Sequence, residues 1–404
     1  MRRVVVTGIG IVSSIGNNLE EVRSSLHNCT PGITKAVGYE DFGFKSQVYG
    51  CPNIELEQNI DRRKLRFLAD GSAWAYIAAE QAIADSNLEN NEISHEKTGL
   101  IVGTGGPSTK AIIKAADQTR DRGAKHVGPF AVPKAMCSMA SATLSTYLGI
   151  KGVNYSISSA CATSNNCIGS AYELIKWGSQ DVMIAGGAEE LDWGLSVLFD
   201  AMGAMSSNFN DNPSQASRAY DINRDGFVIA GGAGILVLEE YDRAIKRGAK
   251  IYAEISGYGS TSDGSDMVLL SGEGAERAMK NAMKGLETKI DYINPHATST
   301  PQGDIIEAKA MKAVFGDNMP IISATKSLTG HSLGAAGAQE AIYSLIMLNN
   351  NFVCKSANID SLDPNFDDLP IALERHDNIE LNTVMSNAFG FGGTNACLVF
   401  RKVN

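Results

Sequence analysis

Cys161 stands in Ile157-Ser-Ser-Ala-Cys-Ala-Thr-Ser164, where an apolar run meets small residues fit to open a helix. At a helix N-terminus, free N–H groups and the dipole favour a thiolate, so this setting predicts a thiol of lowered pKa. The same N–H groups suit the oxyanion of an attacked carbonyl. A structural core cysteine is the competing reading, and it fits Cys167, inside the helix, better than Cys161. His296 lies in the polar Asn294-Pro-His-Ala-Thr-Ser-Thr300, directly after the apolar Ile290-Asp-Tyr-Ile293. His331 follows Lys326-Ser-Leu-Thr-Gly330 and opens a Gly-rich helix. Two junction histidines in one half of a chain can supply hydrogen-bond donors or proton transfer beside a thiol. His27, His95, His126 and His376 sit among polar residues and carry no role. In Phe389-Gly-Phe-Gly-Gly-Thr-Asn395 the glycines around Phe391 suit an oxyanion hole or a gate, although a plain strand-to-strand turn fits equally well.

These residues need elements that bring them together. Val4–Thr7, Thr98–Gly103, Val182–Gly186 and Ile235–Leu238 are apolar without strict alternation, as buried strands are. Leu19, Val22 and Leu26 follow an Asn17-Asn18 cap, and Ile168, Ala171, Leu174 and Ile175 share one helical face. Strands alternating with helices predict an α/β fold. The pattern also repeats. A strand-like run passes into a small-residue helix start at Ile157–Ser164 and again at Ile322–Gly337, each followed by an amphipathic helix ending near Trp177 or Leu348. A boundary near residue 250 divides the chain into 1–250, which carries the cysteine, and 251–404, which carries the histidine pair. Gly8-Ile-Gly10 lacks the third glycine of a dinucleotide fingerprint.

Composition narrows the function. Lys plus Arg number 35 against 45 Asp plus Glu, a net charge of −10 that disfavours a broad nucleic-acid surface. No apolar run approaches the roughly 18–20 residues of a membrane helix. Met1-Arg2-Arg3 precedes a strand-like run with no cleavage signal, so a soluble, cytoplasmic protein is expected. The 7 cysteines are scattered, with neither a disulfide framework nor zinc spacing. Arg62, Arg63, Lys64 and Arg66 form one basic cluster, and Arg120, Arg122 and Lys125 another, each of which fits a solvated helix face.

Taken together, Val5-Val-Thr-Gly-Ile-Gly-Ile-Val, Ser159-Ala-Cys-Ala-Thr-Ser, His296-Ala-Thr-Ser-Thr-Pro-Gln-Gly-Asp and the Phe-Gly-Phe-Gly-Gly-Thr-Asn loop resemble the β-ketoacyl-acyl-carrier-protein synthases, the elongating condensing enzymes of fatty-acid synthesis. The resemblance covers essentially the whole chain. Cys161-Ala-Thr-Ser-Asn-Asn-Cys-Ile-Gly and Tyr220-Asp-Ile-Asn-Arg-Asp-Gly-Phe-Val-Ile-Ala-Gly-Gly are more similar to the synthase I branch than to synthase II. It implies a thiolase-like fold, two duplicated α/β halves in a five-layered α-β-α-β-α core, and a homodimer. The implied reaction is decarboxylative condensation of malonyl-carrier protein with an acyl group held on Cys161, with no metal or bound cofactor, because phosphopantetheine arrives on the acyl carrier protein.

By position, the resemblance makes His296 and His331 the donors to the malonyl thioester carbonyl. Lys326, Glu340 and Glu307 order the site. The backbone N–H groups of Cys161 and Phe391 form the oxyanion hole, and the Phe391 side chain gates entry. Thr298 and Thr300 bond the phosphopantetheine arm, while Gly105, Met136 and Phe199 line the acyl pocket. Arg62, Arg66, Arg122 and Lys125 receive the carrier protein. Two departures stand out: Ala297 where the family usually has Gly, and Pro107 in a glycine run beside the acyl pocket. If position 297 required a positive φ, Ala would cost about 1 kcal/mol. A thiolase would need a second catalytic cysteine, a starter-unit synthase a Cys–His–Asn set, and a chain-length factor no nucleophile. A polyketide ketosynthase would use the same residues as a fatty-acid enzyme.

Overall fold

The computed structural model describes residues 1–403. Its main elements form two series. The first is β1 (Val4–Val12), α1 (Asp70–Ser86), β2 (Thr98–Gly103), α2 (Met139–Leu148), β3 (Asn154–Tyr155), α3 (Thr163–Lys176), β4 (Val182–Glu189) and β5 (Gly232–Glu240). The second is β6 (Ala253–Ser262), α4 (Glu273–Ala282), β7 (Tyr292–Asn294), α5 (Gly303–Phe315), β8 (Ile321–Ile322), α6 (Ala336–Asn350), β9 (Thr383–Gly390) and β10 (Thr394–Arg401).

The strands order as β8-β7-β9-β10-β6-β1-β5-β4-β2-β3. Within the first series, β2 pairs parallel with β3 and β4, and β5 antiparallel with β4 and β1. Within the second, β7 pairs parallel with β8 and β9, and β10 antiparallel with β9 and β6. The halves meet where β1 runs antiparallel to β6, Val5 opposite Glu254 and Val6 opposite Ala253. The topology is therefore one motif used twice.

The packing repeats as well. Helix α1 lies on β1, β5 and β4, and α4 lies on β6 and β10. A Cβ at Gly8 or Gly10 would stand 2.2 Å from the Ala82 carbonyl oxygen or 2.0 Å from that of Ala78. At Gly257 and Gly259 it would meet the Ala282 and Ala278 carbonyls at 1.8 and 2.0 Å. Glycine at both pairs lets the outer helix settle directly on the strand. Helices α3 and α6 fill the space between the half-sheets and touch strands of both. The result is five layers, helix–sheet–helix–sheet–helix, with the main core around the central pair.

Two local expectations need correction. The run before Cys161 is not a strand: β3 ends at Tyr155, and an irregular extended segment leads to a helix that begins at Thr163. Helix α6 is not amphipathic either, since every residue from Ala336 to Leu348 is buried. A helix between two sheets has no solvent face to keep polar.

Candidate functional site

Cys161 precedes the first turn of α3 by two residues, at the end of a segment held from both sides. The Ser159 backbone N–H donates to Thr163 Oγ1 at 2.8 Å, and its carbonyl accepts from Thr394 Oγ1 at 3.1 Å. Ala160 adopts φ 49°, a left-handed conformation that an alanine takes only at a cost of about 1–2 kcal/mol. The kink delivers Cys161 Sγ to 3.0 Å from His331 Nε2. The thiol is not acidified as its position suggested. Desolvation by the surrounding walls outweighs the nearby Lys326 charge and pushes it up to about 12.

The His331 main chain is clamped to the segment before β5, its N–H donating to Val228 at 2.7 Å and its carbonyl accepting from Ala230 at 2.9 Å. His296 emerges from the end of β7, and its loop is tied to α5 by one carboxylate. Glu307 Oε1 accepts from the His296 N–H at 2.8 Å and Oε2 from the Ala297 N–H at 2.7 Å. Asn387 Nδ2 also donates to Glu307 Oε1, at 3.3 Å. Ala297 is absent from the positive-φ positions, so alanine is unstrained there.

The two imidazoles stand edge to face, with centroids 5.1 Å apart and planes at 87°. Both titrate well below the ordinary histidine value, first because they are buried and second because Lys326 places a positive charge nearby. Lys326 Nζ donates to Glu340 Oε1 at 2.6 Å, in a pair whose side chains are each 2% exposed. Burial raises the Glu340 carboxyl to about 7, against the pull of Lys326. The site thus presents two neutral imidazoles and a neutral thiol. The Cys161, His296 and His331 donor atoms lie within 4.8 Å of one another. That set suits a soft cation such as zinc, which would occupy the atoms that a thioester needs.

A cleft of about 370 Å³ opens onto Cys161, His296 and His331, with Thr298, Thr300 and Phe199 in its wall. The two threonine hydroxyls are hydrogen-bonded to each other at 3.1 Å and line the cleft. Phe391 sits at the mouth, 37% exposed, with its ring 6.3 Å from that of Phe199. Among the described residues, neither the Cys161 nor the Phe391 backbone N–H has an acceptor. Gly105 and Met136 are not in the lining. Gly105 bonds to Glu189, and Met136 ends the short helix Ala131–Ala135. Phe227 and Leu333 are in the wall but carried no chemical signal in the sequence.

The basic residues Arg62, Arg66, Arg122 and Lys125 are all exposed. The Arg66 guanidinium lies 5.6 Å from the Phe130 ring, and Phe67 meets the same ring edge-on at 4.9 Å. Phe130 therefore ties the first basic cluster to the loop that follows the second. Among the described residues no helix is long and apolar enough to cross a membrane.

The family models for the N- and C-terminal domains of β-ketoacyl synthases match residues 1–244 and 252–360. A 3-oxoacyl-[acyl-carrier-protein] synthase 1 of Haemophilus influenzae is 55% identical over 405 residues, covering all of both chains. A β-ketoacyl synthase structure from Burkholderia phymatum superposes with a TM-score of 0.94 at 35% identity, with full coverage of both. A type II polyketide ketosynthase, solved with its acyl-carrier protein, aligns at 31% identity and a TM-score of 0.86, again over both whole chains.

Proposed function

The chain belongs to the β-ketoacyl synthase family and is a condensing enzyme of type II fatty-acid synthesis, and from that premise we propose that Cys161, His296 and His331 carry its reaction. The observation behind this reading is the 3.0 Å approach of His331 Nε2 to Cys161 Sγ beside a second buried imidazole.

Cys161 is protonated at neutral pH, so its proton must leave as sulfur attacks an acyl thioester. His331 Nε2 is within reach to take that proton and return it to the departing pantetheine thiol. One thioester replaces another, so this stage costs little. The tetrahedral oxyanion is met by the Cys161 and Phe391 N–H groups. Once sulfur is acylated, His331 no longer faces a thiol. After its ring hydrogen has exchanged from Nδ1 to Nε2 through solvent in the cleft, it donates, with His296, to the thioester oxygen of a malonyl group. Loss of CO₂ leaves an enolate on that oxygen. Its carbon attacks the acyl-Cys161 carbonyl, and the bond from that carbonyl to Cys161 Sγ breaks. The released thiolate takes up a proton from solvent while the chain leaves two carbons longer. A neutral donor suits the enolate, which the depressed histidine pKa values ensure.

In this reading every developing charge meets a protein group, so no metal or redox cofactor enters, and pantetheine comes with the substrate. The partner is an acyl carrier protein, received on Arg62, Arg66, Arg122 and Lys125. The Thr298 and Thr300 hydroxyls hold the pantetheine arm, and Phe199, Phe227 and Leu333, which line the cleft, bound the acyl chain. A boundary near residue 250 separates the two halves. A homodimer fits the free outer edge of β3, where Tyr155 is 42% exposed, and the exposed apolar Val132, at 74%. The cytoplasm is the proposed location.

Intact-mass analysis after mixing with an acyl-carrier-protein thioester tests the reading. An adduct mapping to Cys161, discharged by malonyl-carrier protein, is the expected result. Absence of an adduct on folded protein would overturn it.

A further inference from the structure

Glu189 ends β4 with 1% exposure, and the reaction above gives it no task. Its Oε2 accepts two backbone N–H bonds at 2.8 Å each, one from Gly105 and one from Gly334. Gly105 belongs to the loop after β2, and Gly334 lies three residues past His331. The junction is closed. A Cβ on Gly334 would stand 2.3 Å from the Gly105 nitrogen and 2.8 Å from Glu189 Oε2.

Between His331 and Gly334 the backbone is strained, with Leu333 at φ 48°. Such a conformation persists only where its surroundings over-determine it. Upstream, His331 is held by Val228 and Ala230; downstream, the carboxyl oxygen of Glu189 holds Gly334. The Leu333 side chain reaches the cleft wall beside Cys161 and His331, so a shift of this corner changes both the wall and the imidazole. The adjacent Glu190 has a different task, accepting from Ser108 Oγ at 2.7 Å at the start of helix Thr109–Arg122. Burial raises the Glu189 carboxyl to about 8, so near neutrality its oxygen acts as an uncharged acceptor, a task that an amide oxygen can share.

We propose that Glu189 is a positioning residue: by joining the Leu333–Gly334 corner to the β2 loop, it sets the aim of the His331 imidazole. This rests on the role of His331 argued above. The test follows malonyl-carrier-protein decarboxylation by the full-length enzyme, with melting temperature as the folding control. Glu189→Ala is expected to lower kcat at least about tenfold while KM stays within about twofold, because Thr298 and Thr300, which hold the pantetheine arm in the reading above, are not bonded to Glu189. Glu189→Gln, keeping the bridging oxygen, is expected to recover kcat to within about threefold. A folded Glu189→Ala with parental kcat, or a Glu189→Gln as slow as Glu189→Ala, overturns the proposal. Should Glu189→Ala not fold, Glu189→Asp withdraws the carboxyl by one methylene and should show the same loss; parental kcat in that variant overturns the proposal equally. Failure of the parent enzyme to acylate Cys161 would count against the reading of the site rather than against Glu189.

Discussion

A Cβ on Gly390 would stand 3.0 Å from the Cys161 backbone nitrogen and 3.0 Å from the Ser159 carbonyl oxygen. The hairpin carrying Phe391 is therefore seated directly on the backbone that carries the nucleophile. Gly390→Ala must push the two apart and widen the gap between the N–H groups assigned to the oxyanion. Acylation of Cys161 should slow by about 10²-fold, the usual effect of losing one oxyanion donor. Stopped-flow acylation measures this, and a parental rate would separate Phe391 from the oxyanion hole.

Lys326 and Glu340 form a fully buried ion pair. Removing one partner strands the other, so Lys326→Met should cost about 3–5 kcal/mol in denaturant unfolding. Lys326→Met combined with Glu340→Gln should cost clearly less. A double variant no better than the single would mean that the pair is not the unit of stability.

Because both imidazoles titrate well below the ordinary value, acylation should show no midpoint near the usual histidine pKa of 6.5. The sign is fixed: a depressed folded value keeps His331 neutral, and able to accept the thiol proton, as the pH falls through that point. In Lys326→Met the second cause of the depression is gone, so the acid limb should move upward. A parental enzyme that loses acylation with a midpoint at that value would contradict the neutral pair.

Arg62 and Arg66 lie away from the chemistry, and reversing both to Glu should act on encounter alone. KM for carrier-bound substrates should rise while turnover of small pantetheine thioesters holds, and the difference should shrink in high salt. Unchanged carrier kinetics would remove these residues from the docking surface.

Ala297 is buried and unstrained, so the glycine usual in the family brings no relief here. Ala297→Gly should lower stability by about 1 kcal/mol through added chain entropy and lost packing, with no gain in kcat. A faster Gly variant would show that alanine displaces His296.

Much of this was legible from residue type and place. Cys161, His296 and His331 each sit at a junction between an apolar run and small or polar residues, and that signal survives without any tertiary knowledge. The fold class was legible from Val4–Thr7, Thr98–Gly103 and Val182–Gly186, which lie within β1, β2 and β4. What failed depends on distant groups. The Cys161 thiol rises because walls from other parts of the chain desolvate it, and local sequence shows only the helix that follows. Helix α6 is buried all round because two half-sheets enclose it. Glu189 was invisible because its partners, Gly105 and Gly334, are backbone atoms 84 and 145 residues away. Gly8-x-Gly10 lacks the third glycine of a nucleotide fingerprint, and its match at Gly257-x-Gly259 shows what the pair does instead: it seats an outer helix on its strand.

The left-handed residues Ala160 and Leu333 occupy corresponding corners, each just ahead of a central helix, α3 in one half and α6 in the other. The same bend carries different tools in the two halves, sulfur on one side and imidazole on the other. The bend is what both halves share, and the difference lies in what each presents beside it.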